Sequence, residues 1–454
     1  MSASVPEEST PRSGPPKRKF WFVELAEGVL PSHFGTLLYG AFTTIGLLAF
    51  VAIGTPYVLN VYLQIPVSEQ GQITGDLAAW TELALLLIFG PVGILADRIG
   101  RRQVYAVGYV FMGIGYALYP FADSVTALTG YRLVYALGVG FTTGVLQTAL
   151  ADYPNNNSRG RASALMGLFN GLGVVILSIS LGGLMKTFVN RGWDPAMAGY
   201  LTHGVVAGLC FLSAVVVARG LQPGTAGVGQ EERLPIGELV RSGLAAARNP
   251  RIAFAYACAF IARGDLVVVG TFVNLWGTTA GIEAGLDPAE ATAKGRMLFV
   301  IANASGLLWL LFMGYLLDRM NRVSGAVIGM ALAAAAFLST DLVDDPLARS
   351  SLPFFILLGI GQISAFAASA TLISQEAPRE SRGAVIGLYN TSGAIGILFA
   401  TAVGGRLYDA IGPHAVFEMI GGLTTLVVAF GLWVRWKAPG DPDPRRIGRR
   451  LRRA

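Results

Sequence analysis

Gly93-Ile94-Leu95-Ala96-Asp97-Arg98-Ile99-Gly100-Arg101-Arg102 lies between two long apolar runs, and Gly314-Tyr315-Leu316-Leu317-Asp318-Arg319-Met320-Asn321-Arg322 lies between another two. The shared frame is a glycine, three residues, Asp-Arg, a spacer, one variable position and an arginine. Further echoes follow each copy. Pro154 with Arg159-Gly160-Arg161 precedes Gly167-Leu168-Phe169-Asn170, and Pro378 with Arg382-Gly383 precedes Gly387-Leu388-Tyr389-Asn390. Gly182-Gly183 returns as Gly404-Gly405 with a slip in length. The chain is therefore one plan written twice.

Each copy is surrounded by apolar runs of about 20 residues, the length that crosses a bilayer core of ~30 Å as a helix. The pattern predicts spans over 36–62, 73–96, 103–122, 127–150, 162–186 and 198–219, then 252–276, 296–317, 323–341, 352–374, 383–408 and 414–436. Composition agrees. The 454 residues are 53% hydrophobic and 14% charged, with a mean hydropathy of +0.56. Charges this sparse do not coat a soluble body of this size. The first run is too long for a signal-peptide core and is read as a retained span. The expected fold is an all-α membrane protein of twelve transmembrane helices in two pseudo-symmetric six-helix bundles. Its expected divisions are a cytoplasmic segment 1–32, a first bundle 33–219, a linker 220–250 with an amphipathic helix from Leu234 to Ala247, a second bundle 251–437 and a basic tail 438–454. Phe20 to Leu30 reads as another interfacial helix.

Of 34 Lys and Arg residues, two, Arg132 and Arg263, fall inside spans. If both termini are cytoplasmic, 26 of the others lie on that side, and only Lys186, Arg191, Lys294, Arg296, Arg349 and Arg406 lie on the other. The positive-inside rule then places both ends in the cytoplasm, with a bacterial inner membrane as the expected location. The same bias accounts for the net charge of +6 without a nucleic-acid partner. Cys210 and Cys258 sit in apolar runs, and His33, His203 and His414 are scattered, so neither a disulfide framework, a metal site nor a cofactor is expected.

A repeat of whole six-span halves points to a transporter with its site between the halves. The loop after the second span matches the signature of the major facilitator superfamily at every fixed position, and the chain resembles that family over nearly its whole length. Asn321 replaces a glycine in the second copy. Arg132-x-x-x-Ala136-x-Gly138-x-Gly140 resembles the family's fourth-span motif, with alanine where glycine is common. Ser178-Ile179 stand where the fifth-span antiporter signature has Gly-Pro, which argues against a drug–proton antiporter. The resemblance implies a facilitator fold, a monomer, and a cavity lined by spans one, four, seven and ten.

A helix start attracts carboxylates. Asp97 is therefore expected to meet the start of span eleven near Gly383, and Asp318 the start of span five near Ala162, holding a cytoplasmic gate shut. Gly93, Arg98, Gly100, Arg101, Arg102, Arg319 and Arg322 complete the two gate motifs. The alternative is that these charges only cap helices and fix topology.

Ionisable groups within spans are costly, and so are site candidates. Glu82 and Arg132 share the first half and can form a pair, structural or functional. Arg263 and Asp265 lie near the middle of span seven, about 200° apart around a regular helix. Arg132 and Gln147 belong to one small, polar face of span four, and Arg263 and Asn274 to one face of span seven. Tyr39, Tyr57 and Asn60 in span one, with Gln362 and Ser364 in span ten, are further cavity candidates. Asn170 and Asn390 recur in both halves and read as packing positions.

No Gly-x-x-x-x-Gly-Lys-Ser/Thr loop is present, so a gradient must supply the energy. Glu82 and Asp265 are the proton-coupling candidates, because a sheltered carboxyl group can load and release a proton. Arg132 and Arg263 hint at an anionic solute. The alternatives are an exporter of hydrophobic drugs or metabolites and, outside transport, a transport-dead membrane sensor. Clustered catalytic ligands are absent, so no enzyme is expected.

Overall fold

The computed structural model describes residues 18–224, 236–378 and 381–439. Twelve of its helices are long and apolar enough to cross a membrane. In order they are Pro31–Val61, Val67–Ile99, Arg101–Phe121, Val125–Asp152, Arg159–Asn190 and Pro195–Gly220, then Pro250–Glu283, Pro288–Leu317, Arg322–Leu342, Arg349–Glu376, Arg382–Ala410 and Pro413–Lys437. All twelve expected spans are present, mostly extended by a turn at one or both ends. Many starts carry a proline in the first turn or an Asp, Asn or Ser cap, as at Asp194, Asp287 and Asn321, which satisfies amides that have no intrahelical partner.

Each half closes around its own core. Spans one and five meet where the Gly173 α-carbon lies against the Phe42 carbonyl, and spans seven and eleven where Gly396 lies against the Phe260 carbonyl. A methyl group at either glycine would collide with backbone, so the crossings depend on bare glycine. In the first half, three buried tyrosines tie span three to span one. Tyr105 and Tyr109 bond to Thr44 at 2.9 and 2.8 Å, Tyr109 also reaches Thr43, and Tyr116 donates to the Leu47 carbonyl. Leu87, Leu308, Leu311 and Leu426 stay exposed, where lipid rather than water would cover them.

The two halves touch at the end away from the Asp97 and Asp318 loops, here the far end, and separate at the motif end. Gly75 packs on the Thr401 carbonyl at the far end, while a methyl at Gly93, Gly167, Gly383 or Gly387 would meet nothing within 4 Å. A crevice between the halves thus opens toward the motif end.

The segment Phe20 to Leu30 is not an interfacial helix. Lys19–Phe20 pairs antiparallel with Val23–Glu24, and Leu25 bridges to Pro154. Eleven residues are too few for a stable isolated helix, and the loop after span four offers backbone partners: the Ala26 amide donates to the Tyr153 carbonyl and the Asn155 amide to that of Glu24. The linker helix runs Ile236–Ala246 and docks on span eleven. Gly243 lies against the Ala384 carbonyl and accepts a bond from Tyr256. Residues 1–17 and 225–235, Arg379 and the tail from 440 lie outside the described residues, and with them Arg12, Lys17, Arg233 and the terminal arginines.

Candidate functional site

The crevice holds two neighbouring chambers. The inner one, about 370 Å³, is lined by spans one, two, four, five, seven, eight, ten and eleven. Its walls are mostly apolar, with Ile45, Leu48, Val139, Val174, Leu266 and Phe299 among them, and its polar groups include Thr81, Glu82, Arg132, Thr271, Asn303 and Gln362. The outer chamber, about 470 Å³, lies toward the motif end between Glu82, Phe89, Gln147, Arg263, Asn390 and Thr391. Glu82 borders both chambers.

Arg132 is 7% exposed. Its Nε donates to Thr81 Oγ1 at 2.9 Å and its Nη1 to Tyr119 Oη at 3.3 Å, and its guanidinium sits 5.3 Å from the Tyr135 ring centroid. No carboxylate pairs with it among the described residues. The Glu82–Arg132 ion pair that the sequence allows is not formed: Thr81, one residue earlier on span two, occupies the guanidinium instead. Glu82 shares the lining of the outer chamber with Arg263 of the opposite half, the nearest source of opposite charge acting on it. Arg263 lays its side-chain stem on Gly393 of span eleven. Asp265 does not join it. That carboxyl group is fully buried in the second bundle, and neither oxygen has a hydrogen-bond partner among the described residues.

Five candidates stand elsewhere. Tyr39 bonds to Ser213 at 2.9 Å, Tyr57 to the Pro195 carbonyl at 2.7 Å, and Asn60 to the Pro56 carbonyl at 2.7 Å and to Gln70. Each of these contacts lies inside the first bundle. Ser364 accepts from Trp309 at 2.8 Å. Asn274 donates to the Gly270 carbonyl at 2.7 Å and is buried, with its side-chain oxygen unpartnered. Gln362 does line the inner chamber, and Gln147 the outer one. Thr81, Tyr119, Tyr135 and Asn303 were missed. Asn303 is a lone amide in an apolar span, which is a usable signal. The tyrosines had none beyond being aromatic.

At the motif end the arginines are held within their own halves. Arg101 pairs with Asp152 and donates to the Thr148 carbonyl at 3.2 Å, and Arg102 donates to that of Ala218. In the second half Arg322 lies 3.8 Å from Glu376, which also pairs with Arg251 at 3.1 Å, and Arg319 lies over the Tyr315 ring. Gly100 has φ +97, a conformation that favours glycine at the turn. Spans two and eleven stand apart here, so the start of span eleven near Gly383 is open. Asp97 and Gly383 are both exposed at that end. Away from the crevice, Asp341, His414 and Glu418 bring one ligand atom each within 4.8 Å of one another, a grouping the scattered histidines did not foretell.

The model of the Major Facilitator Superfamily matches residues 33–401 and 285–453. The chain belongs to that superfamily. Magnetosome protein MamH of Paramagnetospirillum magneticum is 27% identical over 90% of this chain and 93% of its own length. Magnetosome protein MamZ of Magnetospirillum gryphiswaldense is 24% identical over 93% of this chain, which spans 65% of that protein. Among solved structures, the nucleoside transporter NupG superposes with a TM-score of 0.66 at 14% identity, covering 87% of this chain and 98% of the other; that likeness shows the fold. The protein is an integral membrane transporter of this superfamily and not an enzyme.

Proposed function

We propose that this superfamily member carries a small organic anion by alternating access, with Arg132 as the anchor and protons as the coupling ion. The observation that carries the reading is a buried guanidinium at the closed end of the crevice with no carboxylate to neutralise it among the described residues. A desolvated charge of this kind is costly, and a bound anion would offset the cost. The apolar walls around it suit a solute with a hydrocarbon or ring body. Glu82 lies on the path to the motif end and shares the outer chamber with Arg263, so its charge state would alter that chamber. Asp265 is the second coupling candidate. The arginine bias supports cytoplasmic termini in a bacterial inner membrane, with the motif end facing the cytoplasm; the six-span bundles would run over 33–219 and 251–437, in a monomer as the family resemblance implies.

The apolar lining also favours a second reading, export of hydrophobic compounds. Counterflow in proteoliposomes separates the two. With small carboxylates as solutes, Arg132→Gln is expected to lower transport efficiency by about a hundredfold, as loss of a charge-assisted contact implies, with Arg132→Lys intermediate. Uptake of uncharged hydrophobic compounds that ignores Arg132→Gln would sink the anion reading. Rates indifferent to an imposed pH gradient, with Glu82→Gln and Asp265→Asn both harmless, would remove proton coupling.

A further inference from the structure

The far end of the crevice is sealed by a carboxylate set against a helix start. Span two begins there, so its first amides lack intrahelical acceptors. The amides of Gly71 and Gln72 donate to the two carboxylate oxygens of Asp409, at 2.8 and 2.7 Å. Asp409 belongs to the last turn of span eleven, in the other half. A negative charge at the positive end of a helix, held by two charge-assisted bonds, is a favourable contact. The surroundings are shaped for it. A methyl group at Gly71 would strike Asp409 and Tyr408, and Arg406 joins Asp76 at 2.9 Å one turn along.

The same two helices carry the same parts at the motif end, with the roles exchanged. Spans two and eleven run antiparallel, so each has a carboxylate near its last turn and bare amides at its first. At the motif end the carboxylate is Asp97, and the helix start is that of span eleven. Here the far-end set is joined and the motif-end helices stand apart. Stiff helices that cross between the two ends act as a scissor, and joining one end parts the other.

We infer that Asp409 is the positioning residue that holds the far end shut, and that Asp409 and Asp97 form two latches on one helix pair, engaged one at a time. The inference rests on the alternating-access reading above and names its far-end control. Spans five and eight, the related pair, close differently: Lys186 meets Glu290 at 2.8 Å, and Arg296 donates to the Ile179 carbonyl at 2.6 Å across Gly182-Gly183. The carboxylate latch therefore sits on one side of the seal only.

The test is pulsed electron–electron spin resonance on the full-length protein in lipid nanodiscs. One label pair, Arg191→Cys with Asp344→Cys, spans the far end; another, Gln103→Cys with Arg248→Cys, spans the motif end. Asp409→Asn keeps the side chain's size and removes its charge. It is expected to move the ratio of far-end-open to motif-end-open molecules by about tenfold toward far-end-open, the scale of a helix-end carboxylate contact. Gly71→Ala, which keeps the charge and forces it away, is expected to move the ratio the same way. Asp97→Asn is expected to move it oppositely. If Asp97→Asn shifts the ratio while Asp409→Asn and Gly71→Ala leave it within about twofold of the parent, the latch is wrong and alternating access stands. If neither a variant nor a transported solute moves either pair, alternating access fails and the latch with it.

Discussion

A carboxyl group buried without a donor costs stability, because nothing replaces its lost hydration. Asp265 is fully buried with both oxygens unpartnered among the described residues. Asp265→Leu, which matches the carboxyl group in branching and heavy-atom count and is free of that cost, is expected to raise stability by about 1–3 kcal/mol where the two methyls are accommodated. Thermal unfolding in detergent checks this, and a lower melting temperature would show that the carboxyl group has a partner that matters. If the acid serves proton coupling, the same variant gains stability and loses stimulation by a pH gradient, a trade expected where a local rule is broken for function. Residue spacing already set Arg263 and Asp265 on different faces of span seven. It did not say which face met the crevice, because helical phase fixes angles between side chains and not the identity of the neighbouring helices. The partners of Arg132 were hidden for the same reason: Thr81 and Tyr119 come from other spans.

Span seven departs from a regular helix where it borders the inner chamber. A π-helical stretch occupies Val269–Val273, and Gly270 and Thr271 within it line that chamber. A π turn interrupts the i to i−4 ladder, and such interruptions concentrate at functional sites. The amides of Val269–Val273 are expected to exchange with solvent deuterium about tenfold faster than those of Ile252–Ala262 on the same helix, as weaker local bonding implies. Equal protection across the two segments would make the π stretch rigid. The apolar pattern placed this span correctly but ended it at Trp276, short of Glu283, since apolar periodicity carries no sign of a widened turn. The hairpin at Lys19–Glu24 was misread in a related way. Its Phe, Trp and Val fit an amphipathic helix, and only the backbone after span four, distant in sequence, favours the extended form.

At the scale of the whole molecule, the repeated Asp-Arg loops and paired glycines made two similar halves legible before any coordinates. Which end of the crevice is open was not legible, because one sequence must satisfy both arrangements and its motifs are compatible with each. The far-end contacts supply that information, and they imply that transport requires the two halves to part there. Joining Lys186→Cys to Glu290→Cys with a short bifunctional maleimide would hold together residues that now pair across the halves at 2.8 Å. Counterflow is then expected to fall at least about tenfold, since the halves can no longer rock. Arg251→Cys bridged to Glu376→Cys, at a 3.1 Å pair inside the second half, is the control and is expected to leave most of the rate intact. A cross-linked far end that transports as fast as the control would mean that the solute passes without the halves separating, and the crevice would then have to be read as a fixed channel.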